Sequence, residues 1–163
     1  MKKQFFILFV SILVSMGFIS CLGDEDTDWR DANVAFLQEI SVMEGIHEIG
    51  DTLNGYPEIY YKVIKQGNGE RPVRGNVINT AYEGWLYNDT VSFDSDKNYE
   101  FTLGTTVIEG WNIVLENMHV GDKWKVYIPY NLGYGSTGNT SGDIQGYSTL
   151  IYDIELKEIV SEN

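Results

Sequence analysis

Apolar residues follow three regimes along the chain: a dense run near the N-terminus, a helical spacing after it, and then a longer stretch of alternation. From Phe5 to Ile19 the run is interrupted only by Ser11, Ser15 and Gly17, with Lys2 and Lys3 ahead of it. A basic start and a short apolar core form a secretory signal, and the run falls short of the roughly 20 residues of a membrane span. Residues 1–20 are therefore set apart from the fold.

Trp29, Phe36, Leu37, Ile40, Met43 and Ile46 recur mainly at three- and four-residue steps, which predicts an amphipathic helix from Trp29 to Ile46 with Asp28 as its N-cap. Gly45, Gly50 and Gly55 punctuate the next stretch, and Asp51 to Pro57 reads as a connection. Such a helix packs on the main domain or spaces it from a membrane, and less commonly binds a partner.

Beyond Pro57 the pattern changes to strands. Ile59–Lys65 and Asn76–Tyr87 are rich in β-branched and aromatic residues, with Gly67-Asn68-Gly69 and Gly75 marking turns. Thr90–Phe93 and Tyr99–Leu103 are shorter candidates. Trp124–Ile128 and Leu150–Ile159 alternate, with Leu150, Tyr152, Ile154 and Leu156 on one face and Ile151, Asp153 and Glu155 on the other. Ile108, Trp111, Leu115 and Met118 instead fall at helical spacing, with Gly121 just past the end. An antiparallel sheet covered by one helix, an α+β fold, is the expected sum.

Composition narrows the function. The 163 residues suit one domain with a modest extension, since domains usually run to about 100–150 residues. Against 24 acidic residues stand 11 basic ones, for a net charge of -13, which disfavours nucleic acid and anionic lipid as partners. One Cys permits no internal disulfide, and two His leave little for a metal site. Gly133-Tyr134-Gly135-Ser136-Thr137-Gly138 has the form of a dinucleotide fingerprint but leads into another loop where that motif requires a helix. Asp94 and Asp96 sit in a turn-like Asp-Ser-Asp-Lys-Asn stretch, and no nucleophile motif accompanies His47 or His119.

A set of short aromatic motifs remains. Ala81-Tyr82-Glu83-Gly84, Phe93-Asp94-Ser95, Phe101-Thr102-Leu103-Gly104, Val107-Ile108-Glu109-Gly110-Trp111, Met118-His119-Val120-Gly121-Asp122-Lys123, Ile128-Pro129-Tyr130-Asn131-Leu132-Gly133-Tyr134-Gly135 and Thr149 to Leu156 occur in this order. Together they resemble the successive blocks of the FKBP-type peptidyl-prolyl cis-trans isomerases, the immunophilins that bind macrolides. The resemblance covers about residues 57–160 and implies an antiparallel half-barrel wrapped around the short helix that carries Trp111.

It also implies a pocket. Tyr82, Asp94, Ile108 and Tyr134 would be the catalytic positions, and Phe93, Tyr99, Phe101, Val107, Trp111 and Tyr152 would bind substrate. Trp111 would be the floor for the proline ring. The Ile108 N–H and the Tyr134 hydroxyl would meet substrate carbonyls, and Asp94, held by Tyr82, would lie beside the twisting amide. The family's chemistry asks for no cofactor and no metal. Three departures stand out: Tyr130 replaces a second Pro, Gly133 replaces the usual Ala, and Ile144-Gln145 replaces Ile-Pro in the loop that overhangs substrate, where the change bears on rate and sequence preference.

Cys21, placed directly after the apolar run, resembles the lipid-modified Cys of bacterial lipoproteins. Leu22 to Asp28 resembles the acidic tether of those in the Bacteroides group. The expected whole is a signal at 1–20, a tether and helix at 21–56, and an isomerase domain at 57–160. This would be a lipid-anchored protein of the cell envelope, at the outer membrane, acting on proline-containing clients and open to macrolide inhibitors. The alternative is a catalytically weak chaperone or proline-peptide binding module in a surface complex.

Overall fold

The computed structural model describes residues 25–50, 58–141 and 144–161. Helix α1 (Glu25–Ser41) is followed by strands β1 (His47–Ile49), β2 (Ile59–Lys65), β3 (Val77–Leu86) and β4 (Asp94–Thr102). Helix α2 (Glu109–Asn117), β5 (Lys123–Ile128), a 3-10 turn (Tyr130–Leu132) and β6 (Leu150–Ser161) complete the chain. The strands form one sheet in the order β1-β2-β5-β6-β3-β4, with every neighbouring pair antiparallel.

Alternation explains the core. Trp124, Val126 and Ile128 on β5 and Leu150, Tyr152, Ile154 and Leu156 on β6 are all buried on one face of the sheet. Trp111, Val114 and Leu115 of α2 pack into the same cluster. Each buried aliphatic side chain there contributes about 1.5–3 kcal/mol relative to exposure. A Cβ at Gly110 would lie 2.4 Å from Ile128 Cγ2, so the absence of a side chain at this position lets α2 settle against β5.

One buried carboxylate joins the end of α2 to the sheet. Asp122 is fully buried, and its two oxygens accept the Gly67 N–H at 2.5 Å and the His119 N–H at 2.6 Å. The turn after β2 and the turn after α2, distant in sequence, are thereby pinned at one point.

Helix α1 lies against the opposite face of the sheet from α2, since Tyr127, which it touches, alternates with the core residues of β5. Phe36 packs 4.7 Å from the Tyr87 ring and 5.9 Å from the Tyr127 ring, and Ile40 and Asn33 are buried.

Four segments differ from the sequence expectation. Thr90–Phe93, expected as a short strand, lies in the irregular connection between β3 and β4. Helix α1 spans Glu25–Ser41 instead of Trp29–Ile46, so Asp28 sits in its first turn. The chain leaves the helix where Val42 and Met43 find no surface to cover, 83% and 57% exposed, and Gly45 adopts a φ of +77°. His47–Ile49, expected in a connection, forms a short edge strand on β2. The turn-like Asp94–Asn98 stretch opens β4, because an edge strand paired only with β3 can carry polar residues on both faces. Cys21 and residues 22–24 lie outside the described residues, whereas Glu25 to Asp28, expected in the acidic tether, form the first turn of α1.

Candidate functional site

The site is built on the edge of the helix-covered face. Trp111, on the first turn of α2, is 4% exposed, and three tyrosines stand nearly perpendicular to its indole. Tyr82 of β3 meets it at 4.9 Å and 85°, Tyr152 of β6 at 5.2 Å and 85°, and Tyr99 of β4 at 6.5 Å and 80°. Edge-to-face contact is the favoured aromatic geometry, so the rings lock one another. The result is a box of about 170 Å³ lined by Tyr82, Asp94, Tyr99, Thr106, Val107, Ile108, Trp111, Tyr134 and Tyr152.

Two of the expected residues stand behind this lining. Phe101 is buried and stacks on Tyr99 with centroids 5.1 Å apart, and Phe93 meets Tyr152 edge-on at 5.6 Å. Gly84 makes room for the second contact, because a Cβ there would lie 2.5 Å from Tyr152 Cε1 and 2.9 Å from Phe93 Cζ. Thr106 lines the box and carried no signal in the sequence: one of two adjacent exposed threonines in a loop resembles any other.

The polar groups are few. The Tyr82 hydroxyl donates to Asp94 Oδ2 at 2.8 Å. Burial and that carboxylate push the Tyr82 hydroxyl above the ordinary tyrosine range, so it keeps its proton and remains the donor. Tyr152 is raised also, by burial first and then by neighbouring Tyr134 and Asp94. Ile108 occupies the N-cap of α2 with φ -59° and ψ 150°, and among the described residues no group accepts its N–H. That N–H points from a helix start, where backbone donors lack intrahelical partners. The Trp111 Nε1 is buried without a partner.

Asp96, two residues past Asp94, is exposed and accepts the Asn98 N–H at 2.8 Å. It lines no part of the box. Among the described residues no group of three or more His, Cys, Asp and Glu side chains is placed to hold a metal ion.

An aromatic-walled box with one carboxylate, a free backbone donor and tyrosine hydroxyls at its lining suits a small uncharged ring and its flanking amides. The sequence model of the family described as FKBP-type peptidyl-prolyl cis-trans isomerase matches residues 68–157, more than half of the chain. The chain belongs to the FKBP-type family. It is 36% identical over 131 residues to the FKBP-type 22 kDa peptidyl-prolyl cis-trans isomerase of Escherichia coli, covering 78% of this chain and 59% of that relative. With the FK506-binding protein of Neisseria meningitidis serogroup A it shares 37% identity over 100 residues, 59% of this chain and 91% of the relative.

Among solved structures, the peptidyl-prolyl cis-trans isomerase of Pseudomonas syringae superposes with a TM-score of 0.73 at 26% identity, over 83% of this chain and 96% of that one. This FKBP-type chain thus spans 59% of the length of its Escherichia coli relative. Its α+β architecture, an antiparallel six-stranded sheet closed over α2, is that of the family's solved structures.

Proposed function

We propose that the protein is a peptidyl-prolyl cis-trans isomerase that binds the proline ring of an Xaa-Pro segment on Trp111 and lowers the barrier to rotation of the preceding amide. The observation that carries this reading is the perpendicular aromatic box on Trp111 with the Tyr82–Asp94 pair at its rim.

Rotation about an Xaa-Pro bond meets a barrier of about 20 kcal/mol, because it breaks the resonance between nitrogen and carbonyl. The planar amide carries more charge separation than the twisted one. A box walled by Tyr82, Tyr99, Trp111 and Tyr152 excludes water that would favour the planar form, while fixed polar groups select the twisted geometry. The Ile108 N–H and the Tyr134 hydroxyl hold substrate carbonyls, and Asp94, oriented by Tyr82, lies beside the rotating carbonyl. Val107 and Tyr99 bound the ring, with Phe101 and Phe93 supporting the walls. No bond is made or broken, so these groups need only bind and orient.

The clients are proline-containing polypeptides, and a macrolide of the FK506 kind competes with them for the box. Cys21 carries the lipid that anchors the protein in the cell envelope at the outer membrane, a reading supported by its place between the apolar run and the acidic stretch. Among the described residues no helix is long and apolar enough to cross a membrane.

A protease-coupled assay on an Xaa-Pro peptide tests the activity. Acceleration that saturates with substrate and falls in Trp111→Leu supports it. Binding of the peptide without acceleration would make the protein a proline-peptide binding module instead.

A further inference from the structure

Asn33 lies on the sheet-facing side of α1, 1% exposed, with both ends of its amide in use. Its Nδ2 donates to the Trp29 carbonyl at 2.9 Å inside the helix, and its Oδ1 accepts the Thr149 N–H at 2.7 Å. One turn earlier the Trp29 indole N–H donates to Ser148 Oγ at 3.2 Å, and the Arg30 guanidinium lies 5.9 Å from the centre of the Tyr147 ring. Tyr147, Ser148 and Thr149 are thus each held by a different residue from a single stretch of helix.

These three residues close the loop that begins at Gly133. Tyr147 N–H bonds to the Gly135 carbonyl at 2.9 Å, and Gly138 N–H bonds to the carbonyl of Tyr134, whose side chain lines the box. The Tyr130 ring meets Tyr147 edge-on at 5.1 Å. Tyr147 has a φ of +63°, a left-handed backbone that a bulky residue adopts only where its surroundings fix it. Helix α1 supplies part of that fixing, from a position before residues 68–157 that the family's sequence model matches.

We propose that α1 clamps the loop segments 133–141 and 144–149 through Tyr147, Ser148 and Thr149, with Asn33 as the positioning residue, and so sets where Tyr134 stands over the box. Helix α1 then determines how tightly the site grips the residues flanking proline. This rests on the isomerase reading for its kinetic consequence, but not for its structural one. Asn33 touches no substrate. Its loss leaves the buried Thr149 N–H without an acceptor, and the loop yields before the sheet does.

The test combines amide hydrogen exchange with isomerase kinetics on one Xaa-Pro peptide, using the whole protein. In Asn33→Ala, the Tyr147 and Ile144 amides, neither of which touches Asn33, should exchange at least tenfold faster. KM should rise threefold or more while kcat stays within twofold, since a gripping loop acts on binding more than on the twist. Trp29→Phe, which removes the bond to Ser148 and trims the ring beside Tyr87 while leaving Asn33 in place, should move both readouts the same way by less, and it serves if Asn33→Ala does not fold. Val63→Ala, which thins the core beside Trp124 far from the loop, should change neither. Wild-type exchange at Tyr147 and Ile144 in Asn33→Ala would overturn the clamp, as would faster exchange with KM unchanged, or an equal rise of KM in Val63→Ala. If the wild-type protein accelerates no proline peptide, the isomerase reading fails and exchange alone decides the clamp.

Discussion

Tyr82 does two things at once: its ring stands at 85° to Trp111 with centroids 4.9 Å apart, and its hydroxyl donates to Asp94 at 2.8 Å. The floor of the box and its carboxylate are therefore oriented by the same side chain. Tyr82→Phe keeps the wall and releases the carboxylate, whereas Asp94→Ala removes it. Both should lower kcat severalfold with a smaller change in peptide affinity, because a group acting on the twisted amide contributes little to the ground state. Unfolding of Tyr82→Phe should show a loss of about 0.5–1.5 kcal/mol, the net worth of one hydrogen bond. Asp96→Ala is the control, within about 0.5 kcal/mol of wild type and with activity intact. Equal kinetic effects at Asp94 and Asp96 would return Asp94 to a turn role.

Trp111 separates pocket from core. Trp111→Ala should cost about 3–5 kcal/mol, because a buried indole leaves a cavity behind. Trp111→Leu fills part of that space and should fold, yet lose affinity for an FK506-type macrolide and most of its activity. A folded Trp111→Leu protein with wild-type macrolide affinity, measured by calorimetry, would remove Trp111 from the binding surface.

Asp122 acts on stability alone. Its replacement by Ala orphans the Gly67 and His119 N–H groups at a fully buried point, and each orphan costs about 1–3 kcal/mol. Denaturant unfolding should show a loss of roughly 2–5 kcal/mol, with Asp122→Asn in between because one acceptor survives. A loss as small as that of Asp96→Ala would contradict this.

Alkaline stability follows from the tyrosines. Burial, as the first cause, raises Tyr82, Tyr152, Tyr127 and Tyr60, the last to about 12 with help from Glu58. In the unfolded chain each loses its proton near 10. The stability they contribute is then fully present below about pH 10 and is lost as the pH rises through the folded values, since the folded state holds protons that the unfolded state has released. The thermal midpoint should be level near neutrality and fall steeply above about pH 10, and Tyr152→Phe should make that fall shallower.

Much of this was legible in the chain. The alternation of Leu150, Tyr152, Ile154 and Leu156 placed four residues on the core face, and all four are buried. The spacing of Trp111 and Leu115 placed α2 on that face, because burial on a helix-covered sheet leaves a strong periodic trace. Less was legible where the sheet ends. Asp94-Ser95-Asp96-Lys97-Asn98 has the composition of a turn, and only pairing with β3 makes it a strand. Asn33 left no trace, and Asp122 stood only as one position of a motif, because a buried polar residue that serves a distant backbone N–H looks in sequence like any surface Asn or Asp. Thr106 entered the box by loop placement alone.

Membrane attachment has its own test. Cys21→Ala should move the protein from the membrane fraction to the soluble one, since diacylglycerol and an added acyl chain together anchor stably where a single chain does not. A mutant that still sediments with membranes would contradict lipidation at Cys21.

The central claim is catalysis by the box on Trp111, and exchange NMR on an Xaa-Pro peptide tests it most directly, because cis and trans populations are read without a coupling protease. With catalytic amounts of wild-type protein, exchange between the cis and trans signals should speed up well beyond its uncatalysed timescale of tens of seconds. That acceleration should vanish in Trp111→Leu and under saturating FK506. Uncatalysed exchange rates in the presence of folded, peptide-binding wild-type protein would contradict the account.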